Sequence, residues 1–175
     1  KKFNIKTYKE IDDAPKNSFD VVIIISVLEH VTDPINFLKN LKVLLKKRGR
    51  IIIECPSIND PLVQLYGNQS YKNFYYRPVH INYFNKTHLK KIVKFSNLKL
   101  IKTFSVLVYS ITNHLGWHFN NKGSSDSEGA TNIKFKHLKK QNLLQKIFSK
   151  INDVYFHELS KQDYADMEIV ICEKK

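Results

Sequence analysis

The sequence predicts an α/β fold built on a largely parallel sheet. Three observations carry the prediction. Phe19 to Val27 is a β-branched, apolar run without alternation, the pattern of a strand buried on both faces. Asp33-Pro34 then opens a segment with Phe37, Leu38, Leu41, Leu44 and Leu45 at helical spacing. Arg50 to Cys55 is a second apolar run, stopped by Pro56. Strand, helix and strand with short connections make a βαβ unit, which crosses over right-handedly.

The remaining elements follow in chain order. Phe3 to Tyr8 is a short strand candidate, and Asp12 to Ser18 is a polar turn around Pro15. Asp33 is an N-cap with proline at the first helical position. Lys46, Lys47 and Arg48 suit the negative end of that helix, with Gly49 as its cap. Residues 57–84 read as a long loop rich in Tyr, Asn and Pro. Asn85 to Phe95 is a second helix with Leu89, Ile92 and Val93 on one face, and Leu98 to Tyr109 is a strand or strand pair. Residues 120–132 (NNKGSSDSEGATN) have the composition of a flexible linker. Lys134 to Ile151 is a basic amphipathic helix with Leu138, Leu144, Ile147, Phe148 and Ile151 on its apolar side. Glu168 to Cys172 is a closing strand. The whole of residues 1–175 reads as one incomplete domain, without an internal repeat.

Composition narrows the function classes. With 42% hydrophobic and 26% charged residues the chain is of ordinary globular type. No apolar run approaches the ~18 residues that a spanning helix needs, and the lysine-rich start is no signal peptide. The net charge of +13 favours an anionic partner such as nucleic acid, a membrane surface or a phosphorylated substrate. Yet Lys outnumbers Arg by 26 to 3, and Asn and Ile are abundant, which AT-rich codons also produce. Arginine is the residue suited to bidentate phosphate and guanine contacts, so nucleic-acid binding is not the expectation. Cys55 and Cys172 lack metal-type spacing and read as reduced core thiols of a cytoplasmic protein. The chain starts at Lys1 and its only methionine is Met167, so a piece of a longer chain is expected.

In open parallel sheets ligands sit at the carboxyl ends of the strands. Here these ends are Ser26-Val27-Leu28-Glu29-His30-Val31-Thr32-Asp33-Pro34 and Cys55-Pro56-Ser57. The stretch from Phe19-Asp20 through Leu28-Glu29-His30-Val31 and Asp33-Pro34 to Cys55-Pro56-Ser57 resembles the second half of a class I S-adenosylmethionine-dependent methyltransferase. The segment His80-Ile-Asn-Tyr-Phe84-Asn-Lys-Thr87-His-Leu89 resembles the one preceding that family's next helix. Asp166 to Lys174 resembles its final antiparallel strand.

The resemblance implies a partial Rossmann-like methyltransferase sheet with helices on both faces and an antiparallel C-terminal strand. It implies S-adenosylmethionine as cofactor and a small-molecule acceptor, such as a sugar, surface-polysaccharide or secondary-metabolite precursor. Two other readings stay open: a non-catalytic methyltransferase-like interaction module completed by a partner chain, and an RNA methyltransferase. The family's glycine-rich cofactor loop has no counterpart, since no glycine precedes Gly49. The first strands of the family fold are therefore expected from upstream sequence or another chain. Without them Val21 to Val27 becomes an exposed edge.

The same resemblance nominates Ser26, Val27, Leu28 and Glu29 at the cofactor, largely through backbone atoms. Tyr8 stands where many relatives carry an adenine-contacting Asp. His30 is a candidate general base, because its ordinary pKa lies near operating pH; the competing reading is a structural junction histidine. His80, in the covering loop, is the second candidate base, against a loop-anchoring role. Tyr75, Tyr76 and Arg77 are candidate substrate contacts, an aromatic wall with a cation for an anionic group, against a plain hydrophobic lid. The basic helix 134–151 is a candidate for peripheral membrane contact. Glu29-His30 alone offers too few ligands for a metal, so none is expected.

Overall fold

The computed structural model describes residues 5–121 and 141–175. Its elements are β1 (Phe19–Ile25), α1 (Pro34–Leu44), β2 (Leu45–Pro56), α2 (Pro61–Gln64), α3 (Gln69–Tyr75), α4 (Lys86–Phe95), β3 (Leu98–Val106), α5 (Ile111–Asn120), α6 (Gln141–Lys161) and β4 (Met167–Lys174). One sheet runs in the order β1-β2-β4-β3. β1 and β2 are parallel, while β4 pairs antiparallel with both β2 and β3. This is the partial Rossmann-like sheet with an antiparallel last strand that the sequence predicts.

The two faces of the sheet differ. Ile24, Ile51, Ile53, Val170 and Cys172 point to one face and are buried with Leu38, Leu41 and Leu44 of α1 and with Leu89 and Val93 of α4. Both helices start on a side-chain cap: the Asn36 amide donates to Asp33 Oδ1 (2.9 Å) and the His88 amide to Asn85 Oδ1 (3.0 Å). On the other face Val21, Ile23 and Ile25 of β1 are exposed, Ile23 by 60%. β1 is also an edge strand of the described sheet, as expected for that run.

Several expectations need correction. α1 stops at Leu44, so Lys46, Lys47 and Arg48 belong to the start of β2 and Gly49 caps no helix. Arg48 takes a left-handed φ of 64°. A Cβ on Gly49 would lie 3.0 Å from the carbonyl oxygens of Lys46 and Phe19, so glycine lets the chain pass closely there. Residues 5–8 form no strand, and Phe3 lies outside the described residues. The 57–84 loop contains α2 and α3. α5 covers a stretch that the sequence left unassigned, although Ser110 caps it in the usual way, accepting from the Asn113 amide. α6 runs ten residues past Ile151, while residues 122–132 and 134–140 lie outside the described residues. Its buried residues include Asn152 and Leu159, whereas Ile147 and Ile151 are exposed. No described helix is long and apolar enough to cross a membrane.

Candidate active site

The carboxyl ends of β1 and β2 border a cavity of about 230 Å3. Its walls include Ser26, Asp60, Tyr75, Arg77, His80 and Asp166. The backbone creates this opening. Ser26 donates its amide to Glu54 O (3.0 Å), the last ladder bond of β1. It then adopts a left-handed φ of 51°, which turns the chain off the sheet. Such a conformation costs a non-glycine residue about 1 kcal/mol or more and concentrates at functional sites.

A 3-10 turn, Leu28–His30, follows. Leu28 is fully buried in the main core, backbone included, and its carbonyl accepts from the Val31 amide (3.2 Å), whereas Val27 is exposed. Glu29 is 1% exposed, and neither carboxylate oxygen has a hydrogen-bond partner. Burial raises its pKa, opposed by its own backbone amide and by His30. The side chain of His30 is 40% exposed, with Nε2 3.9 Å from Glu29 Oε1. Its Nδ1 lies 2.7 Å from Val79 O. A carbonyl only accepts, so Nδ1 carries the proton and Nε2 of the neutral ring keeps its lone pair.

The covering loop is fastened to this turn. The Ile81 and Asn82 amides donate to Glu29 O (3.0 and 3.1 Å), and Asn82 Nδ2 donates to Val31 O (2.6 Å). With the His30–Val79 bond, these hold His80 beside His30, ring centroids 4.8 Å apart and edge to face. Burial, then His30 and Arg77, lower the pKa of His80, and its buried Nδ1 has no hydrogen-bond partner. Both candidate bases therefore stand in one place.

Of the three candidate substrate contacts, Tyr75 and Arg77 line the cavity and Tyr76 does not. Tyr75 is buried and its hydroxyl donates to Ser57 O. Tyr76 is exposed and meets Tyr75 and Tyr83 edge to face. Arg77 lies over the Phe74 ring at 4.1 Å and donates from Nε to Phe74 O (2.9 Å). Tyr8 is half-buried in the irregular N-terminal segment, against the main core, and does not border the cavity.

The sequence reading missed Asp60, Asp166 and His114. Asp60 Oδ1 accepts from the Leu62 and Val63 amides and Oδ2 from the Tyr71 hydroxyl. Burial, with Asp166 nearby, pushes its pKa up to about 6. Asp166 Oδ2 accepts from the Val108 and Tyr109 amides, and Oδ1 lies 3.7 Å from His114 Nε2. Asp60-Pro61 was a visible signal, the same Asp-Pro helix start as Asp33-Pro34.

Comparison with known proteins follows the same lines. A family model described as a methyltransferase domain matches residues 2–103, more than half of the chain. Among solved structures, a SAM-dependent methyltransferase from Archaeoglobus fulgidus is 18% identical with a TM-score of 0.53, covering 94% of this chain and 63% of its own. Phosphoethanolamine N-methyltransferase 2 from Haemonchus contortus, in complex with S-adenosyl-L-methionine, is 16% identical with a TM-score of 0.50, covering 92% of this chain and 34% of its own. At such identities the likeness shows the fold alone. No curated protein matches the chain. The match to the family model, spanning β1, β2 and the Glu29–His30 turn, decides the question: the chain belongs to the methyltransferase domain family.

Proposed function

We propose that this protein takes part in S-adenosylmethionine-dependent methyl transfer to a small-molecule acceptor at the carboxyl ends of β1 and β2. The observation that carries the reading is the cavity at these strand ends in a chain of this family. Ser26 and Val27 are exposed where β1 ends, and they fit one wall of a cofactor site with Leu28 packed behind them. When bound, the cofactor supplies an electrophilic methyl on a sulfonium. The chain's own part is to orient the acceptor and take its proton. His80 lines the cavity and His30 stands beside it with its ring oriented by Val79 O, so either imidazole suits the part of base. Tyr75 and Arg77 on the cavity wall, with Tyr76 beside them, suit a sugar or other ring bearing an anionic group. The free thiols of Cys55 and Cys172 fit the cytoplasm. The exposed edge and face of β1 suit cover by a further strand, from upstream sequence or another chain.

Calorimetric binding of S-adenosylhomocysteine tests this, on the 175-residue chain and on a form carrying any native sequence that precedes it. Binding by either form supports the reading. Binding by neither overturns it in favour of an interaction module, which the open face of β1 would serve.

A further inference from the structure

We propose that Glu29, His30 and His80 form a binding site for a divalent first-row transition-metal ion. The chain thereby goes beyond the sequence expectation of no metal, because the fold supplies a third ligand fifty residues downstream of the Glu-His pair. One ligand atom from each of the three side chains lies within 4.8 Å of the others.

Four features of the cluster fit a metal site. The donor set is one carboxylate and two imidazoles, which suits zinc and the neighbouring divalent ions. Glu29 is 1% exposed with both carboxylate oxygens unpartnered. A buried carboxylate without hydrogen bonds is costly unless a cation or a proton meets it. His30 fixes its tautomer through Val79 O (2.7 Å). That is the usual support of a ligating histidine, which donates its far N–H to a carbonyl and turns the other lone pair to the ion. Finally, His80 Nδ1 is buried and unpartnered, on a loop whose Ile81 and Asn82 amides are bonded to the carbonyl of Glu29 itself. The turn and the loop therefore move as one piece, and the ligands are held together before any ion arrives.

Ligand atoms around an ion at about 2.0–2.2 Å stand roughly 3–3.5 Å apart. The Glu29–His30 pair, at 3.9 Å, is near that spacing already, and all three ligand atoms lie within 4.8 Å of one another. Three protein ligands leave at least one open position. His80 also lines the cavity, so that position is where an oxygen of the acceptor would bind. This last step rests on the proposed methyl transfer, with the bound ion acidifying the acceptor oxygen in place of proton uptake by the ligating histidines; ion binding itself does not rest on it.

The test uses metal-free protein titrated with Co2+, followed by its visible absorption, and with Zn2+ in competition, without cofactor or acceptor. One equivalent is expected, displaced by Zn2+. Glu29→Gln and His80→Ala should each weaken binding by about ten- to a hundredfold or more. His88→Ala and His118→Ala, on exposed histidines away from the cluster, should leave it unchanged. Glu29→Gln also serves as the folding control, since it removes a buried charge and should leave the metal-free protein folded. Failure of the folded protein to take up either ion, or uptake that survives His80→Ala, overturns the proposal. S-adenosylhomocysteine binding, measured separately, keeps the methyl-transfer reading distinguishable from it.

Discussion

Two groups of buried carboxylates border the same strand ends, and they solve the same problem differently. Asp60, Asp166 and Glu168 are almost completely desolvated, as is Glu29. Asp60 receives two amides and a tyrosine hydroxyl. Asp166 receives two amides on one oxygen. Glu168 receives Ser57 Oγ at 2.8 Å and Ser105 Oγ at 2.7 Å, one on each oxygen. Glu29 receives none on its side chain, because the donors nearest its turn, the Ile81 and Asn82 amides, go to its backbone carbonyl. Where donors are supplied, a buried acid builds the loops around the cavity. Where they are withheld, the acid is left for a ligand or a proton.

Removing one of the satisfied acids should have the largest effect. Asp166→Ala strands the Val108 and Tyr109 amides and should lower stability by roughly 3 kcal/mol, read by urea unfolding, because each buried unsatisfied donor costs about 1–3 kcal/mol.

The next effect concerns pH. Asp60 titrates in the folded chain at about 6, above its ordinary 3.8, mainly through burial and then through Asp166. Tyr71 and His114 also face it, the first by hydrogen bond. The folded state therefore holds a proton that the unfolded chain has released between these values. Stability from this group is complete below pH 3.8, is lost as pH rises through 6, and changes by roughly 2–3 kcal/mol in all, at about 1.4 kcal/mol per pKa unit. Unfolding midpoints should accordingly rise as pH falls from 8 toward 5, and Asp60→Asn should flatten that rise. Glu29 and Glu168 are also raised by burial and add in the same direction.

A smaller effect sharpens the comparison. Glu29→Gln should stabilise the metal-free protein at pH 8 by about 1 kcal/mol, since it removes an unpaired buried charge. Glu168→Gln should instead cost about 1 kcal/mol, because it disturbs two satisfied serine hydrogen bonds. Opposite signs for the same chemical change, read by thermal unfolding, are the expected outcome. Smallest is Tyr75→Phe, which removes the bond to Ser57 O and should cost about 1 kcal/mol or less.

How much of this was legible in the sequence depends on range. β1, the Asp33 cap, the helix after Asn85 and the closing strand are local patterns, and each forms where its residues predict. The end of α1 was misplaced because Lys46 to Gly49 imitates a helix C-terminus, while pairing of Leu45 with Phe19 draws the chain into the sheet. α5 was hidden because Asn113, His114 and Trp117 give a weak periodicity, and its start is secured by tertiary contact, the Asn152 side chain accepting from the Ile111 amide. The site divides in the same way. Glu29 and His30 are visible as neighbours at a strand end. Their meeting with His80 is made by hydrogen bonds across some fifty residues, which no local pattern records.

The two thiols described as free core residues make the sheet readable by chemistry. Cys55 lies on β2 and Cys172 on β4, the two central strands. Burial raises both pKa values, that of Cys172 to about 12. Alkylating reagents attack the thiolate, so neither sulfur reacts while its strand stays in place. Each becomes reactive only when the centre of the sheet opens, and the labelling rate of the native protein is a clock for that opening. The clock should slow on adding any ligand that grips the strand ends, whatever its chemistry.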